Sequence, residues 1–209
     1  MSDFEQLARV VELQGRDVVD IGCGDGALVR ALAKAGANAI GIEVSEAAVE
    51  RARATDRENR YLLGGAEAIP LPDASVDLAV MMRSLHHVPD PNAAFPELRR
   101  VVREYVYISE PLPTGDFFEL MRPVDDETEV RANAQQAIAD ATGFERVKTF
   151  EYDVTLPIAS FEAFRDRLLA ADPERASRFA ELEAGLRARF TPGDYTVPMR
   201  ADLLRSAGR

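Results

Sequence analysis

The stretch Val18-Val19-Asp20-Ile21-Gly22-Cys23-Gly24-Asp25-Gly26, followed 17 residues after its last glycine by Glu43, constrains this chain more than any other feature. The apolar run before Gly22 reads as a buried strand, and the three glycines mark a tight turn into a helix. Ile40-Gly41-Ile42-Glu43-Val44-Ser45 repeats the strand pattern and closes it with a carboxylate. Strand, glycine loop, helix and acid-tipped strand make the first βαβ unit of a parallel sheet, with a nucleoside pocket at its mouth. In such a pocket Glu43 accepts from the ribose hydroxyls. The glycines keep side chains out of the ligand's volume and turn N–H groups of the helix start toward an anionic end of the ligand.

Gly22, Gly24 and Ala27 also fit the dinucleotide fingerprint, so the glycines alone do not choose a ligand. Asp20 does. It stands two residues before the first glycine, where a dinucleotide places its pyrophosphate, and like charges in a partly desolvated loop repel. A nucleoside carrying an ammonium and a sulfonium is attracted instead, and S-adenosylmethionine is such a molecule. Asp20 then takes the amino group, Glu43 the ribose, and Val44 packs against the adenine. Cys23 reads as a small packing residue, because nothing nearby in sequence serves it as a base.

Short apolar runs at residues 17–21, 39–43, 60–64, 76–81 and 105–110 alternate with helical patterns, the signature of parallel strands with crossover helices. Leu28, Leu32 and Ala35 share one helical face that Gly36 ends, and Ser45 caps a helix with Val49 and Ala52 inward. Asp90-Pro91 starts another helix, in which Pro96 predicts a kink or a late start. Val130, Ala134, Ile138 and Ala141 form a stripe ending at Gly143. Residues 144–158 alternate as a long antiparallel strand. Helices follow over residues 160–171, with Phe161, Phe164 and Leu168 inward, and 173–190, with Phe179, Leu182, Leu186 and Phe190 inward. The last strand covers 195–206. The two helices either fold over the ligand crevice or pack on the outer sheet face.

At 209 residues and 46% hydrophobic content the chain suits one domain, and no apolar run approaches the roughly 18 residues of a membrane span. A net charge of -11 argues against nucleic acid, whose affinity comes from Lys and Arg displacing counterions. The single cysteine forms no internal disulfide, and the acidic, amphipathic start lacks the features of a signal peptide, so a cytoplasmic location is expected.

The stretch from Asp20 to Gly26 resembles the first motif of the class I S-adenosylmethionine-dependent methyltransferases, in the group that acts on small molecules. Residues 75–90, with Arg83-Ser84-Leu85-His86-His87-Val88-Pro89-Asp90, resemble the family's fourth strand and the turn after it. The resemblance implies an α/β fold: a doubly wound, mostly parallel seven-stranded sheet in the order 3-2-1-4-5-7-6, with helices on both faces. It implies one Rossmann-like domain over residues 1–209, with a helical insertion at about 159–191 between the last two strands. It also implies S-adenosylmethionine as cofactor, S-adenosylhomocysteine as product, and a small-molecule acceptor methylated by in-line displacement.

Carried over residue by residue, the resemblance assigns cofactor contacts to Asp20, Gly22, Cys23, Gly24, Gly26, Glu43, Val44 and Arg83. The family's adenine-binding aspartate after the third strand is matched here by Gly65, which passes that task to Ala66 and Glu67. The Lys-Pro-Gly-Gly turn before the fifth strand is absent. So is the Asn-or-Asp, double-proline and aromatic motif of amino-base methylators, a second argument against nucleic acid. His86 is the candidate general base, against a packing role for the pair His86 and His87. No metal site is expected, since no third ligand stands near the histidines in sequence. Phe4, Arg83, His86, Glu110, Pro111 and the inserted aromatics are expected to face the acceptor. A nicotinamide-dependent oxidoreductase and a non-catalytic S-adenosylmethionine-binding protein stay open as alternatives.

Overall fold

The computed structural model describes residues 2–207. Its strands are β1 (Asp17–Ile21), β2 (Asn38–Glu43), β3 (Arg60–Leu63), β4 (Val76–Met82), β5 (Val102–Pro111), β6 (Phe144–Ile158) and β7 (Gly193–Ser206). They form one sheet in the expected order, β3-β2-β1-β4-β5-β7-β6. The pairs among β1 to β5 are parallel, whereas β7 runs antiparallel to both neighbours. The helices are α1 (Asp3–Ala8), α2 (Ala27–Lys34), α3 (Glu46–Thr55), α4 (Pro91–Val101), α5 (Asp116–Met121), α6 (Thr128–Ala139), α7 (Phe161–Ala171) and α8 (Ala176–Arg189).

Successive strand residues point to opposite faces, so the sheet builds two cores. Val19, Ile21, Met81 and Ile108 meet Phe95 and Leu98 of α4 and Ala134 and Ile138 of α6. Val18, Val80, Tyr107 and Leu203 meet Leu7 of α1, Val29 and Leu32 of α2, and Val49 and Ala52 of α3. Burial on both faces explains why the central strands read as continuous apolar runs. A third core lies outside the sheet, where Phe161, Phe164, Leu168, Phe179 and Leu186 gather around Tyr195, Leu120 and Met121. It joins α7 and α8, which lie between β6 and β7, to α5.

Three local expectations change. Helix α4 runs from Pro91 through Pro96 to Val101. Pro96 is on the exposed side near the helix start, so the carbonyl it leaves unbonded can meet water while Phe95 and Leu98 hold the buried side. In α6 the inward stripe is Arg131, Ala134, Ala137 and Ile138, and Val130 is exposed. The last inserted helix is divided into a 3₁₀ turn, Pro173–Arg175, and α8. The turn is started by the Asp172 side chain, which accepts from the Glu174 N–H at 2.9 Å.

Candidate active site

The chain leaves β1 toward β2 on one side, while β4 and β5 lie on the other, so the carboxyl ends of β1 and β4 border the crevice where such sheets bind ligands. The loop after β1 holds Gly22, Gly24 and Gly26 at φ of +80°, +54° and +82°. A Cβ on Gly22 would lie 2.5 Å from the Ser84 Cβ, and one on Gly26 would lie 2.5 Å from the Tyr61 hydroxyl. Two of the glycines are therefore required by protein contacts rather than by a ligand's volume. Only a Cβ on Gly24 would meet open space.

The loop N–H groups also differ from expectation. Those of Gly22 and Cys23 donate to the Ile42 carbonyl, that of Gly26 to the Cys23 carbonyl, and that of Gly24 to Glu43 Oε2 at 2.9 Å. The Ala27 N–H meets Asp25 Oδ1 at 3.3 Å. These five donors are engaged inside the chain. Glu43 thus serves as a brace for the loop, and its other oxygen accepts from the Ser45 N–H at 3.0 Å.

Three cavities meet at this crevice among the described residues. One of about 650 Å³ is bordered by Gly22, Glu43, Val44, Ala66, Glu67 and Arg83. A second, about 400 Å³, is lined by Asp3, Phe4, Asp20, Gly22, Cys23 and Arg83 among others. The third, about 220 Å³, has Arg83, His86, His87, Pro111, Phe117 and Arg131 in its wall, with Arg167 and Arg175 from the inserted segment. Gly24 and Gly26 border none of the three, although both were expected at the ligand. Arg83 borders all three, in a left-handed conformation at φ +56° that a residue with a side chain rarely adopts. Its guanidinium is held by Asp3 at 2.9 Å, and Asp3 in turn accepts from the Tyr152 hydroxyl at 2.7 Å.

Asp20 is 3% exposed, and no donor reaches its carboxylate among the described residues. Burial, and then the charge of Glu43, push its pKa up to about 7. A buried carboxylate with no partner is costly, and a cation placed beside it would remove that cost. Cys23 is buried too, and burial followed by Asp20 pushes its thiol up to about 12, which suits a packing residue. Val44 is 73% exposed at the rim of the largest cavity, an apolar surface open to a ligand. Glu67 is exposed and accepts from the Asp90 N–H at 3.1 Å, which ties the loop after β3 to the start of α4.

Glu110, expected to face an acceptor, is instead fully buried behind the histidines. Its Oε1 accepts from the N–H groups of Ser84 and Leu85 at 3.0 and 2.8 Å, and its Oε2 bonds His86 Nδ1. The carboxylate therefore fixes both the turn Leu85–His87 and the direction of the imidazole, whose ring borders the third cavity. His87 stands beside it, exposed, with its pKa lowered by desolvation and then by His86.

A third ligand-type group, invisible in the local sequence, does stand near these histidines. Atoms of His86, His87 and Glu127 that could bind a metal lie within 4.8 Å of one another. Glu127 is already bonded by Arg131 at 2.9 and 2.6 Å and approached by Arg175 at 3.4 Å, so its charge is largely compensated. The inserted aromatics form their own core instead of lining the cavity, where Phe117 of α5 stands instead. Sequence reading did not find Phe117, Arg131, Arg167 or Arg175, because they come from elements without a motif. No helix among the described residues is long and apolar enough to cross a membrane.

A family profile described as "Methyltransferase domain" matches residues 19–108. The ubiquinone biosynthesis O-methyltransferase of Methylococcus capsulatus is 32% identical over 164 residues, which cover 65% of this chain and 68% of that protein. An uncharacterized methyltransferase of Mycobacteroides abscessus is 38% identical over 108 residues, 49% of this chain, and the match spans only 42% of that relative. Among solved structures, a Bacillus halodurans protein described as a methyltransferase superposes with a TM-score of 0.72 at 18% identity, each chain being covered over 100% of its length. That last likeness concerns the fold alone.

Proposed function

The chain belongs to the class I S-adenosylmethionine-dependent methyltransferases, and from that premise we propose that it methylates a small molecule held in the cavity between Arg83, His86 and the inserted helices. The residues of the crevice fit the cofactor. The partnerless Asp20 suits its ammonium group, and Glu43 keeps lone pairs for ribose hydroxyls beyond the two bonds it accepts. Val44 and Ala66 offer apolar surface to the adenine beside Glu67. Arg83 is the cation nearest the methionine end, where it replaces the glycine-loop N–H groups as partner for the carboxylate. Cys23 packs below that end, and Gly22, Gly24 and Gly26 shape the loop.

When bound, S-adenosylmethionine would supply a methyl group activated by its sulfonium, for in-line attack by an acceptor atom with S-adenosylhomocysteine as the leaving group. The protein's share is alignment, desolvation and removal of one proton from the acceptor. Alignment contributes about 7 to 11 kcal/mol in favourable cases, and a base about 3 to 5 kcal/mol. His86 is the residue for the second task. Glu110 holds Nδ1, so the free Nε2 takes the acceptor's proton and the buried carboxylate stabilises the imidazolium that results. The observation that carries this reading is a histidine oriented by a fully buried glutamate at the edge of a cavity continuous with Arg83.

The test is to incubate the purified protein with methyl-labelled S-adenosylmethionine and a panel of small hydroxyl- and amine-bearing acceptors, reading S-adenosylhomocysteine. His86→Ala is expected to lower turnover on any accepted substrate by about 10²- to 10⁴-fold with cofactor affinity kept. Normal turnover in that variant would return His86 to a packing role. Tight cofactor binding without transfer to any acceptor would support the non-catalytic reading.

A further inference from the structure

The wall of the smallest cavity is cationic in a chain of net charge -11. Four arginines border it, and three have acids to match. Arg83 pairs with Asp3 at 2.9 Å, and Arg131 pairs with Glu127 at 2.6 Å. Arg175 lies against Asp125, Glu127 and Asp172. Arg167, an exposed residue of α7 next to Leu168, borders the cavity with no acid and no hydrogen-bond acceptor among the described residues. Desolvation by the surrounding chain, and then the charge of Arg83, lower its pKa below the ordinary arginine value. Arg175 keeps one buried donor, its Nε, without an acceptor in hydrogen-bond range, Asp172 being 3.6 Å away.

A guanidinium that borders a cavity beside another cation and has no counter-charge is a ready partner for an anion entering that space. We propose that the methyl acceptor carries a carboxylate that Arg167 binds, with Arg175 flanking it, while the acceptor's nucleophilic atom lies toward His86. Arg167 is the one of the four with no acid in reach among the described residues, and Arg175 Nε is a buried donor without an acceptor, so the two offer unused N–H groups to a carboxylate. The planar guanidinium also matches a carboxylate in a two-pronged hydrogen bond. This inference rests on the reading of the cavity as the acceptor site.

Two titrations separate the inference from that reading. The first measures S-adenosylhomocysteine binding to the wild type and to Arg167→Gln. The second adds acetate, benzoate and phenylacetate, each beside its neutral amide, to the protein saturated with S-adenosylhomocysteine. The expected result is equal nucleoside affinity in both proteins, with at least one carboxylate bound in preference to its amide. That preference should fall about tenfold or more in Arg167→Gln and partly return in Arg167→Lys. If the carboxylates bind no better than the amides, or bind Arg167→Gln as well as wild type, or none binds, the carboxylate site is wrong while the cofactor reading stands. Failure of S-adenosylhomocysteine to bind the wild type overturns both.

Discussion

Asp20 has the most to gain from a ligand. Its carboxyl is raised from the ordinary value near 4 to about 7 by burial and by Glu43. A raised pKa favours the protonated folded state, so this group's contribution to stability is complete below about pH 4 and is lost as pH rises to 7. A bound ammonium restores the loss by pulling the pKa down. Two outcomes follow: Asp20→Asn should raise the melting temperature of the free protein at pH 8 with little effect at pH 4, and binding at pH 6.5 should release protons. Calorimetry in buffers of different ionisation enthalpy reads the second. The glycines divide in the same way. Gly24→Ala places its methyl in open space and should cost about 1 kcal/mol for the left-handed backbone, whereas Gly22→Ala adds a collision with Ser84 and should cost about 2 to 4 kcal/mol in urea denaturation. Equal losses would mean the Ser84 contact is easily relieved.

The elements differ in how firmly they are held. The sheet is braced on both faces, whereas α7 and α8 close a separate aromatic core in which the Phe164 ring centroid lies 6.0, 5.9 and 6.0 Å from those of Phe161, Phe179 and Phe190. Phe164→Ala should cost about 3 to 5 kcal/mol, confined to this unit. Hydrogen exchange should then speed up in α7 and α8 while β1 and β4 keep their protection; a uniform rise would show that the unit is not separable. The central strands were legible in sequence because burial on both faces leaves continuous apolar runs, and the edge strand β6 by its alternation; β1 and β6 begin and end at the expected residues. Pro96 misled because local preference carries less weight than the burial of Phe95 and Leu98. The loop after β1 was legible as a turn, but the partners of its N–H groups come from β2 and could not be read along the chain. His86 was visible as a candidate, yet the meaning of Glu110 depended on the β4–β5 pairing that puts it behind Ser84, and the cationic wall depended on where the inserted helices fall.

At the scale of the molecule, one switch point organises everything: three cavities share Arg83, with Asp20 on the cofactor side and Arg167 on the acceptor side, each without a counter-charge among the described residues. The overall negative charge hides this local polarity, which is why composition argued against nucleic acid without suggesting an anionic acceptor. The Asp20 carboxylate selects a cationic adenosyl ligand, and the decisive experiment titrates S-adenosylmethionine into the wild type and into Asp20→Asn at pH 8, with NAD as competitor. Micromolar-range or tighter binding to the wild type, at least tenfold weaker binding to the variant, and no displacement by NAD are expected. Equal or tighter binding to Asp20→Asn, or displacement by the dinucleotide, would contradict that selection.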